Sequence, residues 1–131
     1  MVTSDETGSV HGLGSGSLGP YSQAIIASGF VFCSGTAGID PATGAVAEGI
    51  EAQAEQALRN LDAILAAAGA SLATLVKTTI FYQNVDDFAA INAVYARYMP
   101  EPPPARSAPA NVNLPHGLLI SIDAIAVLAA A

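Results

Sequence analysis

Four cationic side chains, Arg59, Lys77, Arg97 and Arg106, stand against eleven acids, so each cation requires a reason. Arg106 has the most informative surroundings. It follows Pro102-Pro103-Pro104 and sits between Ala105 and Ser107, where a strand is predicted to begin. A guanidinium held there can grip a carboxylate through two parallel hydrogen bonds. The competing reading is a surface arginine paired with one of the acids, which contributes little to stability.

The remaining reactive residue types point to less. Cys33 lies inside a predicted strand with no obvious base beside it, and reads as a small buried hydrophobe rather than a nucleophile. A single cysteine cannot form an internal disulfide, and no Cys/His spacing suggests zinc. His116 belongs to a Pro-His-Gly turn open to solvent, and His11 to a Gly/Ser-rich lead-in. The glycines over residues 12–19 precede no helix, so a phosphate-cradling loop is not expected.

These side chains must be positioned by elements that hydrophobic spacing defines. Residues 1–18 show no periodicity and are expected to be a flexible lead-in, followed by one domain over residues 19–131. Two β-prone runs, 23–27 and 30–34, flank Ser28-Gly29 as a hairpin. Asp40-Pro41-Ala42-Thr43-Gly44 is a turn. Over residues 49–68, Ile50, Ala54, Ala57, Leu58, Leu61, Ile64, Leu65 and Ala68 recur on one helical face, with Gly69 placed to end the helix. Residues 75–82 read as a strand. Asp86 is the expected N-cap of a second helix whose buried stripe is Phe88, Ile91, Tyr95, Tyr98 and Met99. After the prolines come a short strand over 106–112, a turn at Pro115-His116-Gly117 and a last strand over 118–127.

The order β-β-α-β-α-β-β implies an α+β domain with two helices on one face of a mixed sheet. The other face then requires a partner subunit. On the last strand, Ile120, Ile122, Ala124 and Ala126 alternate toward the helices, while Leu119, Ser121, Asp123 and Ile125 point to that second face.

Composition narrows the function. The formal charge of −7 and four scattered cations supply no track for a phosphate backbone or an anionic membrane. At 52% hydrophobic and 11% charged residues, disorder is excluded and a large buried interface is expected, hence an oligomer. No basic stretch precedes an apolar run at the N-terminus, and no apolar run reaches spanning length, so the cytoplasm is the expected location.

Several motifs in register resemble the RidA/YjgF family. They are Gly19-Pro20-Tyr21-Ser22-Gln23-Ala24, Ser34-Gly35, Asp40-Pro41-Ala42-Thr43-Gly44, Val76-Lys77-Thr78-Thr79-Ile80, Asp87-Phe88, Asn92-Ala93-Val94-Tyr95 and Pro104-Ala105-Arg106-Ser107. The resemblance runs from about residue 19 to residue 127. It implies a chorismate-mutase-like homotrimer whose sheets close a central barrel, with clefts between subunits. It also implies hydrolysis of 2-imino or enamine acids to 2-keto acids and ammonia, with no metal or organic cofactor. By the same resemblance Arg106 binds the substrate carboxylate, Tyr21, Ser34 and Gly35 line the cleft, and Asn92 is mainly structural.

Two departures bear on the chemistry. The family's glutamate on the last strand aligns with Ser121, and the cysteine often found two residues after the arginine is Ala108. A serine hydroxyl can position water but is a poor general base at neutral pH. Asp123 lies on the same strand face about 7 Å further along and is the candidate substitute. Deaminase-like activity is the first expectation. A diverged biosynthetic enzyme acting on an imine-like intermediate, or a non-catalytic 2-keto-acid-binding protein, are the alternatives.

Overall fold

The computed structural model describes residues 8–10 and 19–129. Strands β1 (Gly8–Val10), β2 (Ala24–Ala27), β3 (Phe30–Ala37), β4 (Leu75–Tyr82), β5 (Ala105–Ser107) and β6 (Ile120–Val127) are joined with helices α1 (Ile50–Ala68) and α2 (Phe88–Ala96). The sheet order is β1-β2-β3-β6-β4-β5, antiparallel throughout except for the parallel pair β4–β5. It is the expected mixed sheet with two helices on one face.

Residue alternation builds the core. Ile26, Val31, Ile80, Ile120, Ile122 and Ala126 are buried beneath the helices and meet Leu58, Leu61 and Leu65 of α1. The β2–β3 turn places Ser28 and Gly29 at φ 53° and 81°, the left-handed pair that a tight hairpin requires. Gly69 closes α1 at φ 88°. Gly38 passes so close to α1 that a Cβ there would lie 2.6 Å from the Gln53 Cα. The helices are clasped by Tyr98, whose hydroxyl donates to Glu55 Oε2 at 2.7 Å. That bond holds the Glu55 carboxyl below the usual carboxylate range despite some desolvation, with Arg59 and Arg97 adding to it.

Four local expectations are corrected. Within the supposed lead-in, Gly8–Val10 pairs with β2 and Val10 is buried in the core; residues 1–7 and 11–18 lie outside the described residues. Asp86 does not cap α2. Asn84 accepts from the Asp86 N–H at 2.9 Å and caps a 3₁₀ turn, Val85–Asp87, that leads into the helix. Phe88 is 39% exposed instead of buried, and Val94 joins Ile91 and Tyr95 in the core. The strand expected over 106–112 is only Ala105–Ser107. Pro109 has no N–H to continue the ladder, and beyond it the chain meets the end of β4 only through Tyr82, whose N–H donates to the Pro109 carbonyl at 3.3 Å and whose carbonyl accepts from the Val112 N–H at 3.1 Å.

The sheet face turned away from the helices exposes Ile25, Phe30, Phe32 and Val76. It also carries Ser121 and Asp123, each half-buried. Among the described residues no helix is long and apolar enough to cross a membrane.

Candidate functional site

Strand register decides where Arg106 goes. In the parallel β4–β5 pair Arg106 stands opposite Thr78, and paired neighbours share a face. Thr78 is fully buried under α2, its hydroxyl 2.6 Å from Tyr95 Oη. Arg106 therefore projects from the exposed edge strand toward α2. Its guanidinium carbon lies 5.1 Å from the centre of the Tyr95 ring and 5.6 Å from that of Phe88, within cation–π range of both. Nη1 donates to Asn92 Oδ1 at 2.7 Å. No acid among the described residues pairs with it, whereas Arg59 and Arg97 both approach Glu55, at 3.4 and 3.7 Å. The plain surface ion pair is thereby ruled out within the described residues.

A second cluster forms where β3 crosses β6. The register runs Cys33↔Ala124 and then Thr36↔Ile122, so Ser34 and Gly35 together oppose the single residue Asp123. This β-bulge brings the backbone of Gly35 against Ser121, and a Cβ on Gly35 would lie 2.7 Å from Ser121 Oγ. Ser34 Oγ donates to the Ser22 carbonyl at 2.7 Å and ties the segment bearing Tyr21 to the bulge. Tyr21 itself is 44% exposed. On the other side of β6, Asp123 pairs with Thr79, whose hydroxyl accepts from Lys77 Nζ at 3.3 Å.

The chain thus brings Ser34, Gly35, Ser121 and Asp123 together, with Tyr21 next to the Ser22 that Ser34 holds, and keeps Arg106 apart from the cluster. β4 lies between β5 and β6, a lateral separation of about 10 Å, and Arg106 faces the helices while Ser121 faces away. Sequence reasoning missed Phe88 and Asn92 as neighbours of Arg106. The signal was present: Phe88, Asn92 and Tyr95 fall at i, i+4 and i+7 of one helix face.

Cys33 is buried beside this second cluster but on the helix side, as a small hydrophobe would be. Burial pushes its thiol up to about 12, with the Asp123 charge adding to the effect. His116 is exposed on its turn, at φ 60°. No group of three His, Cys, Asp or Glu side chains is arranged to hold a metal among the described residues.

An α+β fold with a mixed sheet and two helices is the architecture of RidA-type proteins. The chain belongs to the RidA/YjgF family: the family model described as endoribonuclease L-PSP matches residues 15–128. A curated relative from Arabidopsis thaliana, Reactive Intermediate Deaminase A, chloroplastic, is 48% identical over 112 residues, covering 85% of this chain and 60% of that one. The 2-iminobutanoate/2-iminopropanoate deaminase of Salmonella typhimurium is 44% identical over 113 residues, covering 84% of this chain and 88% of that one. Among solved structures, E. coli TdcF with bound serine superposes with a TM-score of 0.84 at 33% identity, covering 92% of this chain and 98% of that one.

Proposed function

We propose that this protein hydrolyses small 2-imino or enamine carboxylic acids to 2-keto acids and ammonia, at a site shared between copies of a homotrimer. The observation that carries this reading is Arg106, a cation held by an amide and two rings with no acid among the described residues to neutralise it. Relatives named as imine deaminases support it, as does a structural relative carrying serine, a small molecule with a carboxylate beside a nitrogen-bearing carbon. The formal charge of −7 favours such a substrate over RNA, despite the name of the family model.

In this reading Arg106 fixes the carboxylate and so orients the adjacent C=N carbon, which is already electrophilic. The Ser121 hydroxyl and the Asp123 carboxylate direct a water onto that carbon. Water adds across C=N, the C–N bond breaks, and ammonia leaves with protons supplied by the water. The separation of Arg106 from Ser121 within one chain is accommodated if Arg106 of one copy meets the Ser121 cluster of the next. Closing the second sheet face around a central barrel would also cover Ile25, Phe30 and Phe32.

The test is a coupled assay in which an amino acid oxidase generates short 2-imino acids and semicarbazide traps those that persist. Accelerated loss of imine is expected, and Arg106→Ala should abolish it while leaving the oligomer intact. Full activity in that variant would refute the carboxylate clamp. A second reading follows from the resemblance, by which Ser121 stands in place of a family glutamate. No acceleration by a folded oligomer would point to diverged chemistry on an imine-like intermediate, or to 2-keto-acid binding without turnover.

A further inference from the structure

We propose that Asn92 is the positioning residue of the Arg106 clamp, and that its being an amide is what keeps the guanidinium charge available to a ligand carboxylate. The inference rests on the clamp reading of Arg106 and deepens it.

The contacts around Arg106 orient it without neutralising it. A guanidinium has five N–H donors. Asn92 Oδ1 takes one at 2.7 Å, and the rings of Phe88 and Tyr95 lie 5.6 and 5.1 Å away. Those rings are themselves fixed. Tyr95 is bonded through its hydroxyl to buried Thr78, and Phe88 stacks on Tyr82 with centroids 6.1 Å apart. All three partners come from one face of α2, so a single helix sets the fork's direction.

The choice of amide is informative in this chain. Acids outnumber cations eleven to four, and Arg59 and Arg97 both lie against the carboxylate of Glu55. Aspartate has the same shape as asparagine and would bind a guanidinium more strongly. At this position it would also occupy the charge that a substrate carboxylate needs. The neutral acceptor gives orientation at the cost of a weaker internal bond, which is the arrangement of a binding site rather than of a structural ion pair.

A structural role and a positioning role therefore predict opposite orders of variants. Asn92→Asp should preserve or raise the melting temperature, because the internal bond becomes charge-assisted. It should also raise KM for 2-iminopropanoate, and Kd for pyruvate or 2-ketobutyrate, by at least about tenfold through like-charge repulsion of the incoming carboxylate. Its kcat should change much less, and the KM defect should ease as the new carboxyl is protonated at low pH. Asn92→Ala, which removes the acceptor and adds no charge, should lower the melting temperature and raise KM only a few-fold. If the asparagine is merely structural, stability and affinity fall together and the alanine variant is the worse of the two. That ordering, an Asn92→Asp protein that fails to fold, or one with KM and Kd within twofold of the parent would each overturn the proposal. Arg106→Ala measured in parallel separates the two readings. Unchanged keto-acid binding there removes the clamp itself, whereas lost binding there with normal binding in Asn92→Asp removes only the role given to Asn92.

Discussion

Gly35→Ala tests whether the Ser121 hydroxyl directs the attacking water. The new Cβ would sit 2.7 Å from Ser121 Oγ and 4.0 Å from Ser121 Cβ, so only the hydroxyl is in the way. The shortfall from ordinary contact is about 0.7 Å, and turning χ1 to another staggered well relieves it by carrying the oxygen about 2 Å. Gly35 is not among the residues at positive φ, so alanine meets no backbone penalty there. The stability change should stay within about 1 kcal/mol, rotamer cost being offset by the lower entropy of the unfolded chain. A displacement of that size in a group that positions a reactant lowers kcat by roughly 10- to 100-fold. The assay is kcat for imine hydrolysis in Gly35→Ala, Ser121→Ala and the double variant. If the added methyl acts through the hydroxyl, the double variant matches Ser121→Ala, because no oxygen is left to displace. An additional penalty in the double variant would mean that the methyl obstructs the substrate directly. Unchanged kcat in both single variants would refute a role for the Ser121 hydroxyl.

Two further outcomes are expected. Ser121→Glu places a carboxylate where the family resemblance implies one, and should raise imine hydrolysis by about tenfold or more, the lower range for general-base effects; no gain in a folded oligomer would show that the serine is not a lost base. Cys33, with its thiol pushed up from 9.0 to about 12, should react with iodoacetamide at pH 8 about 1,000-fold more slowly than an unperturbed thiol, as followed by mass spectrometry. Its raised value also means that the folded chain holds the proton more tightly between pH 9 and about 12, so Cys33 contributes stability that is lost as pH rises through that window. Alkaline urea titrations of the parent and Cys33→Ala should therefore converge as pH increases.

Elements with strong local patterns were legible from sequence. The strand over residues 75–82 coincides with β4 because Val, Thr, Ile and Phe run up to the polar stop Gln83-Asn84. The two faces of β6 follow directly from its alternation. Strand β1 was hidden because Gly8-Ser9-Val10 has the composition of a linker, and its pairing with Ala24–Ala27 is a tertiary fact. The bulge at Ser34-Gly35 had a signal, a glycine inside a β-prone run, but its partner Asp123 lies on a distant strand. Phe88 fell on the apolar stripe of its helix, yet stays part-exposed because the edge strand beneath it is three residues long and presents Arg106. Arg106 itself was legible as an unusual cation. Its surroundings were not, since they follow from the parallel register that sets it opposite Thr78.

That register gives a physical reason for the proposed division of the site between copies. A carboxylate clamp works best when no acid of its own chain can reach it, and the helix side of β5 supplies rings and an amide. A water-directing cluster needs hydroxyl and carboxylate groups, which the interior beneath the helices cannot accept without partners for them. Ser121 and Asp123 are instead on the opposite face, among exposed apolar residues such as Phe30 and Phe32. Within one chain the arrangement keeps Asp123 from neutralising Arg106. In the proposed assembly, the apolar residues that drive association would be what brings the two halves together. Burying them would exclude water from the carbon to be attacked except for the molecule that Ser121 and Asp123 hold. In that assembly, folding economy and catalytic order would impose the same requirement on this face, which would account for polar Ser121 and Asp123 lying among its exposed apolar residues.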